Sequence, residues 1–144
     1  MVKATRKFLE FDKGSVPLFD KFKKALQGKN GDLSNPEAFL IAMAWGVHYK
    51  VRPESIKKSG TGARLEYLSD SDNALLAAAH FAYTGTTDSL LDVNEIHNSA
   101  ELYAEGGIRL ISEELDKPGS FSESFAATVF DIVETLGPLE QEDD

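Results

Sequence analysis

In a chain with no cysteine, chemistry must come from carboxylates, imidazoles, hydroxyls and cations. The most regular spacing of such groups is His97, Glu101 and Glu105, each four residues from the next. That spacing stacks side chains on one helix face, and neighbouring carboxylates can exchange protons or hold a cation. The surrounding segment, NEIHNSAELYAEGGIRLISEEL, reads as a helix with Ile96, Ala100, Tyr103 and Ala104 on its apolar stripe. The acidic set then falls on its wet side. A second group, Glu66, Asp70 and Asp72 near Arg64, has the composition of a metal-dependent hydrolase or nuclease site. His48, His80 and His97 fall in three separate helical segments, none with a second histidine or cysteine at ligand spacing, so the pattern is not that of a zinc site. GxSxG, GxGxxG and GxxxxGK[ST] do not occur. The residues therefore predict neither a metal nor a cofactor, and a protein that is not an enzyme.

A different chemistry is offered by residues 50–68, KVRPESIKKSGTGARLEYL. Lys50, Arg52, Lys57, Lys58 and Arg64 stand there against Glu54 and Glu66. Glycines let backbone amides approach an anion, and lysines add charge. Yet Lys57 and Lys58 precede the glycines instead of following them into a helix, so this is no nucleotide cradle. It reads as a loop over residues 54–64 that contacts phosphate or an acidic partner groove, or else docks on the chain's own carboxylates. Tyr67 follows the loop and Tyr49 precedes it, where a ring can stack on an exposed base. A secondary basic arm, Lys3, Arg6 and Lys7, opens the chain, flanked by Phe8 and Phe11.

These residues need elements to hold them. The 144 residues suit one domain, expected over 1–137, with 1–14 as an arm or short strand and 138–144 as an acidic disordered tail. Pro17 marks the start of a first helix with Leu18, Phe19, Phe22 and Leu26 on one face. Asn35 reads as the cap of a second, whose body AFLIAMAWGVHYK is apolar nearly all round and so central and buried. Gly46 within it permits close packing. Ser69 or Ser71 caps a third helix that ends at Gly85, and Asp92 with Glu95 opens a fourth. Gly106–Gly107 predict a kink or break there. TTDSLL reads as a short connector or one helical turn, and Ser120 with Glu123 as the cap of the last helix. ARLEYL alternates enough for a short strand. The expected fold is mainly α: a compact single-domain bundle of about five to six helices with at most one or two short strands. No apolar run approaches a membrane span, and the N-terminus lacks a signal-peptide core, so the expectation is a cytoplasmic protein with no membrane contact.

Charge divides the chain. Residues 1–64 hold 13 Lys and Arg against 6 Asp and Glu, a net +7, and residues 65–144 hold 2 against 18, a net −16. Such asymmetry points to a polar partner surface, or to two halves that attract each other within one fold. The central segment, from AFLIAMAWGVHYKVRPESIKKSG through ARLEYLSDSDNALLAAAHFAYTG to LLDVNEIHNSAELYAEGGIRLI, resembles small accessory proteins encoded beside bacterial DNA phosphorothioation (Dnd-type) and related anti-phage defence systems. The resemblance rests on a helix leading into a basic RPxxxKK loop, an R-x-E-Y pair and a late A-E-x-Y-A-x-G-G-I element. It implies a DNA-associated or partner-binding role in DNA modification or defence, and transfers no catalytic residue. Three functions follow: such an accessory component, binding DNA or a protein of the complex through its basic half; an acidic adaptor or inhibitor that imitates nucleic acid; or a small nuclease or hydrolase. A homodimer through an alanine-rich helix face is also open.

Overall fold

The computed structural model describes residues 6–28, 31–88, 90–119 and 121–136. Lys3, Ser120 and the tail from 138 lie outside them. The order is β1 (Phe8–Asp12), α1 (Val16–Ala25), a small ribbon of β2 (Gln27–Gly28) and β3 (Gly31–Asp32), α2 (Asn35–Tyr49), β4 (Lys58–Arg64), α3 (Asp70–Thr84), α4 (Val93–Leu115) and α5 (Phe121–Leu136). Among the described residues the chain is mainly helical, with five α-helices and one short antiparallel sheet, β1 against β4. The β2–β3 ribbon adds two strands of two residues each, beyond the one or two expected. No helix of the described residues is long and apolar enough to cross a membrane.

Local chemistry sets most helix starts. Ser34 caps α2: its hydroxyl accepts from the Glu37 amide while the Glu37 carboxylate accepts from the Ser34 amide. The cap is therefore one residue earlier than Asn35. Asn35 is spent on tertiary bonds instead, donating to the Gly62 carbonyl at 3.0 Å and accepting from Lys23 Nζ at 2.6 Å. Ser69 and Asp72 form the same reciprocal cap on α3, and Asp92 accepts from the Glu95 amide at the start of α4. Gly85 ends α3 in the left-handed conformation, φ 75°, that a glycine adopts without strain. The described residues of TTDSLL form bends and turns and no helix.

Three expectations change. Residues 54–64 are not all loop: from Lys58 onward they are a strand, because β1 offers a hydrogen-bonding edge across the fold. ARLEYL contributes only Ala63 and Arg64 to that strand, and Leu65–Tyr67 turns as a 3₁₀ helix. Most consequentially, α4 runs unbroken through Gly106–Gly107 and is central, with twelve buried residues. The glycines serve contact, not interruption. A Cβ on Gly107 would overlap the Ala42 carbonyl oxygen, one on Gly46 the Tyr103 carbonyl oxygen, and one on Gly106 the Val51 carbonyl oxygen. The backbones of α2 and α4 thus touch where side chains normally hold helices roughly 8–10 Å apart.

Around this crossing the core fills with Leu9, Phe11, Phe19, Phe22, Phe39, Met43, Trp45, Leu76, Ile108 and Ile111. Phe11 stacks on Phe19 with centroids 3.8 Å apart, and Trp45 on Phe125 at 4.7 Å, which ties α5 to α2. Gly107 is buried, so Gly107→Ala should cost about 2 kcal/mol or more, because the atoms its Cβ would meet are backbone and must shift. Chemical denaturation measures it. An unchanged midpoint would show that α2 and α4 have room to separate.

Candidate anion-contact site

Glu101 lies at the middle of α4 with its side chain 2% exposed. A carboxylate so buried must be compensated, and this one is. Its Oε2 accepts from Arg6 Nη1 at 2.9 Å and from the Glu10 amide at 2.7 Å, and its Oε1 from Lys58 Nζ at 3.0 Å. Arg6 also donates to Asn98 at 2.8 Å. One side chain of the acidic half therefore gathers the segment before β1, β1 itself and the start of β4. Other carboxylates extend the stitching. Asp12 accepts from the Lys57 amide at 2.9 Å, Glu10 from the Gly60 amide at 2.7 Å, and the Lys13 amide donates to the Lys57 carbonyl at 2.7 Å.

The expectation that His97, Glu101 and Glu105 form a wet acidic face is thus overturned. All three are buried, at 8%, 3% and 3% exposure. Glu105 pairs with Arg109 through one oxygen, and its other oxygen has no partner among the described residues. His97 Nδ1 is likewise without one. Burial, joined by the positive charge of Arg6 and opposed by Glu101, holds the His97 imidazole below its ordinary pKa of 6.5. Glu66, Asp70 and Asp72 do not converge: Glu66 pairs with Arg64, Asp72 caps α3, and no cluster of three metal-ligating side chains occurs among the described residues.

The predicted basic residues divide into three sets. Arg6 and Lys58 are spent on Glu101. Arg64 and the 64%-exposed Tyr67 meet at the end of β4, with the guanidinium 5.5 Å from the Phe8 ring and 5.8 Å from the Tyr67 ring. Exposed Lys7 adjoins them through its carbonyl, which accepts from the Leu65 amide. Lys50 and Arg52 form the third set. Lys50 closes α2 in the left-handed conformation and turns the chain so that Arg52 lies over the Tyr83 ring, 3.6 Å from its centroid, and 5.1 Å from that of Tyr103. Lys57 is exposed and bonds only through its backbone among these contacts.

Arg52 has unused hydrogen-bonding capacity and no carboxylate partner among the described residues. It makes no ion pair or side-chain hydrogen bond among the described residues, and its Nη1 is buried without a partner. It lines two clefts that share it with Tyr83. One, of about 390 Å³, includes Ser55, Lys58, Asn98 and Ser99, with Glu54, Glu95 and Glu101. The other, of about 300 Å³, includes Lys50, Val47, Ala82 and Tyr103. A guanidinium immobilised between two tyrosines has little entropy left to lose when a carboxylate or phosphate docks on its free N–H edge. Sequence reasoning named Arg52, did not single out Tyr83, placed Tyr103 only on an apolar stripe, and read Glu101 as wet where it is buried. The signal for Glu101 was present: a helix carrying Ala100, Ala104, Gly106 and Gly107 beside Ile108 and Ile111 is small or apolar on several sides, which marks a helix packed all round.

Comparison with protein-family models, with curated proteins and with solved structures yields no match to this chain. The fold and the site consequently define only a class, a small helical domain locked by a buried carboxylate and presenting an unpaired, ring-stacked arginine.

Two outcomes are expected. Glu101→Gln should destabilise by about 3 kcal/mol, Arg6→Ala by less, and Lys58→Ala, whose side chain is 47% exposed, by under about 1 kcal/mol. Equal losses in denaturant titrations would refute a lock centred on Glu101. For His97 the depressed folded pKa means that the unfolded chain binds the proton more readily. Its contribution is full above about pH 6.5 and is lost as pH falls through the folded value. Between about pH 6.5 and 5, above the carboxylate range, stability should decline, and His97→Gln should flatten the decline.

Proposed function

We propose that this chain is a non-enzymatic accessory component of a bacterial DNA-modification or anti-phage defence system, which holds an anionic partner against Arg52. The observation that carries the reading is the Arg52 guanidinium itself: stacked on Tyr83, lining two clefts, and paired with no carboxylate among the described residues. Every other arginine among the described residues, Arg6, Arg64 and Arg109, already has one. Lys50 and Lys58 flank it across the two clefts, and Arg64, Tyr67 and Lys7 offer a second contact at the end of the sheet. The resemblance of residues 37–112 to Dnd-associated accessory proteins supplies the setting, and a DNA phosphate is the partner it favours.

Nearby carboxylates Glu54 and Glu95 limit affinity for a polyanion. Binding should therefore be weak and strongly salt-dependent. The protein should be retained on duplex DNA at low salt, and Arg52→Ala with Lys50→Ala should abolish retention while circular dichroism shows the chain still folded. Failure of the wild-type protein to bind DNA at any salt, together with co-purification of a defence-system protein lost in the same variant, would move the anionic partner from DNA to protein. Binding unaffected by the double variant would remove Arg52 from the site.

A further inference from the structure

The third helix buries one side only. Leu76, Ala79 and His80 pack inward, while Ala74, Leu75, Ala78, Phe81 and Ala82 are all exposed, Leu75 at 52% and Phe81 at 45%. Spacings of three and four residues place these five on a single face, opposite the buried one. From Ala74 to Ala82 the face carries no charged side chain, and Asp70 borders it one turn earlier, which is unusual for the solvent side of a helix in a chain with 27% charged residues.

The order of residue sizes along this face is symmetric. Counting from Ala78, a large apolar side chain stands three residues away in each direction, Leu75 and Phe81, and a small one four residues away, Ala74 and Ala82. A surface with that property complements itself under a two-fold rotation. If two copies of α3 lie antiparallel about an axis at Ala78, each Leu75 sits over Ala82 of the partner subunit, and each Phe81 over Ala74 of the partner subunit. Large side chains then enter the spaces above alanines, and the Ala78 pair lets the helices approach closely. An isologous contact requires this kind of self-complementarity.

Charge selects the same orientation. Asp70 and Asp72 sit in the first turn of α3, and its last turn carries no charged side chain. A parallel pair would bring the two Asp70 carboxylates together, whereas Asp72 lies off the face and accepts from the Ser69 amide. An antiparallel pair separates the Asp70 carboxylates by roughly 20 Å, the length of fifteen residues of helix, and aligns the two helix dipoles favourably.

We infer that the exposed face of α3 is the interface of a two-fold homodimer, formed antiparallel about Ala78. The larger cleft beside Arg52 contains none of the five face residues, so dimerisation leaves it open and displays two copies of it. This inference does not depend on what Arg52 binds. A single helix face is small beside the roughly 800 Å² per partner of a standard interface, so association belongs in the micromolar range.

The test is sedimentation equilibrium of the full chain over a concentration series, with circular dichroism as the folding control. Wild-type protein should shift toward twice the monomer mass as concentration rises. Ala78→Glu, which keeps a good helix former at an exposed position, should weaken association by about a hundredfold or more, because it buries an unpaired charge on the axis. Asn73→Glu adds the same charge to the same helix off the face and should leave association unchanged. Ala78→Cys, in a chain otherwise free of cysteine, should oxidise to a covalent dimer. A monomer at all concentrations overturns the inference, as does a dimer that persists in Ala78→Glu or one lost equally in Asn73→Glu.

Discussion

One buried carboxylate organises this molecule. Glu101 lies at the middle of the longest helix and receives three donors from the N-terminal part of the chain: a guanidinium, an ammonium and a backbone amide. A sheet of two strands is marginal by itself in water. Here Glu101 fixes both strands to α4, by the Glu10 amide on β1 and the Lys58 side chain on β4. Leaving that carboxylate buried and unpaired would cost more than the pairing gains, so the N-terminal segment cannot detach without penalty. The lock is thus a specification of geometry more than a source of net stability.

The second constraint is the backbone contact of α2 with α4. Gly46, Gly106 and Gly107 allow it, and they bring Val51 and Arg52 against the middle of α4. That approach places Arg52 beside Tyr103 on α4 and Tyr83 on α3. The candidate site is therefore a product of the same close crossing that builds the core. A glycine far from Arg52 in sequence decides where its guanidinium rests.

The division of charge has a mixed meaning. Arg6–Glu101, Lys58–Glu101 and Lys21–Asp116 join the basic half to the acidic half, so part of the asymmetry is spent inside the fold. It is not all spent. Asp88, Asp92, Glu95 and Glu113 remain exposed in the acidic half, and Lys7, Lys13, Lys24, Lys50 and Lys57 in the basic half. The cations nearest the buried acid are consumed by it, and the more distant ones are left to face solvent or a partner.

How much was legible in the sequence depends on the range of the physics. Local rules worked: Ser69 and Asp92 cap their helices, Pro17 opens the first, and Gly85 closes the third, because each cap is made within four residues. The mainly helical class followed from 3.6-residue periodicity. What failed was anything set by a distant partner. Residues 58–64 look like loop because their strand partner lies about fifty positions earlier, at Phe8–Asp12. Gly106–Gly107 look like a break because the backbone they admit belongs to another helix. Glu101 looks like surface because charge predicts exposure until two cations and an amide arrive from elsewhere. Composition and spacing by themselves determined the helical class, the caps and the identity of Arg52 as a cation to watch. Only the tertiary structure decided which cations are consumed and which remain free, since a buried charge is settled by whichever groups the fold brings within hydrogen-bond reach.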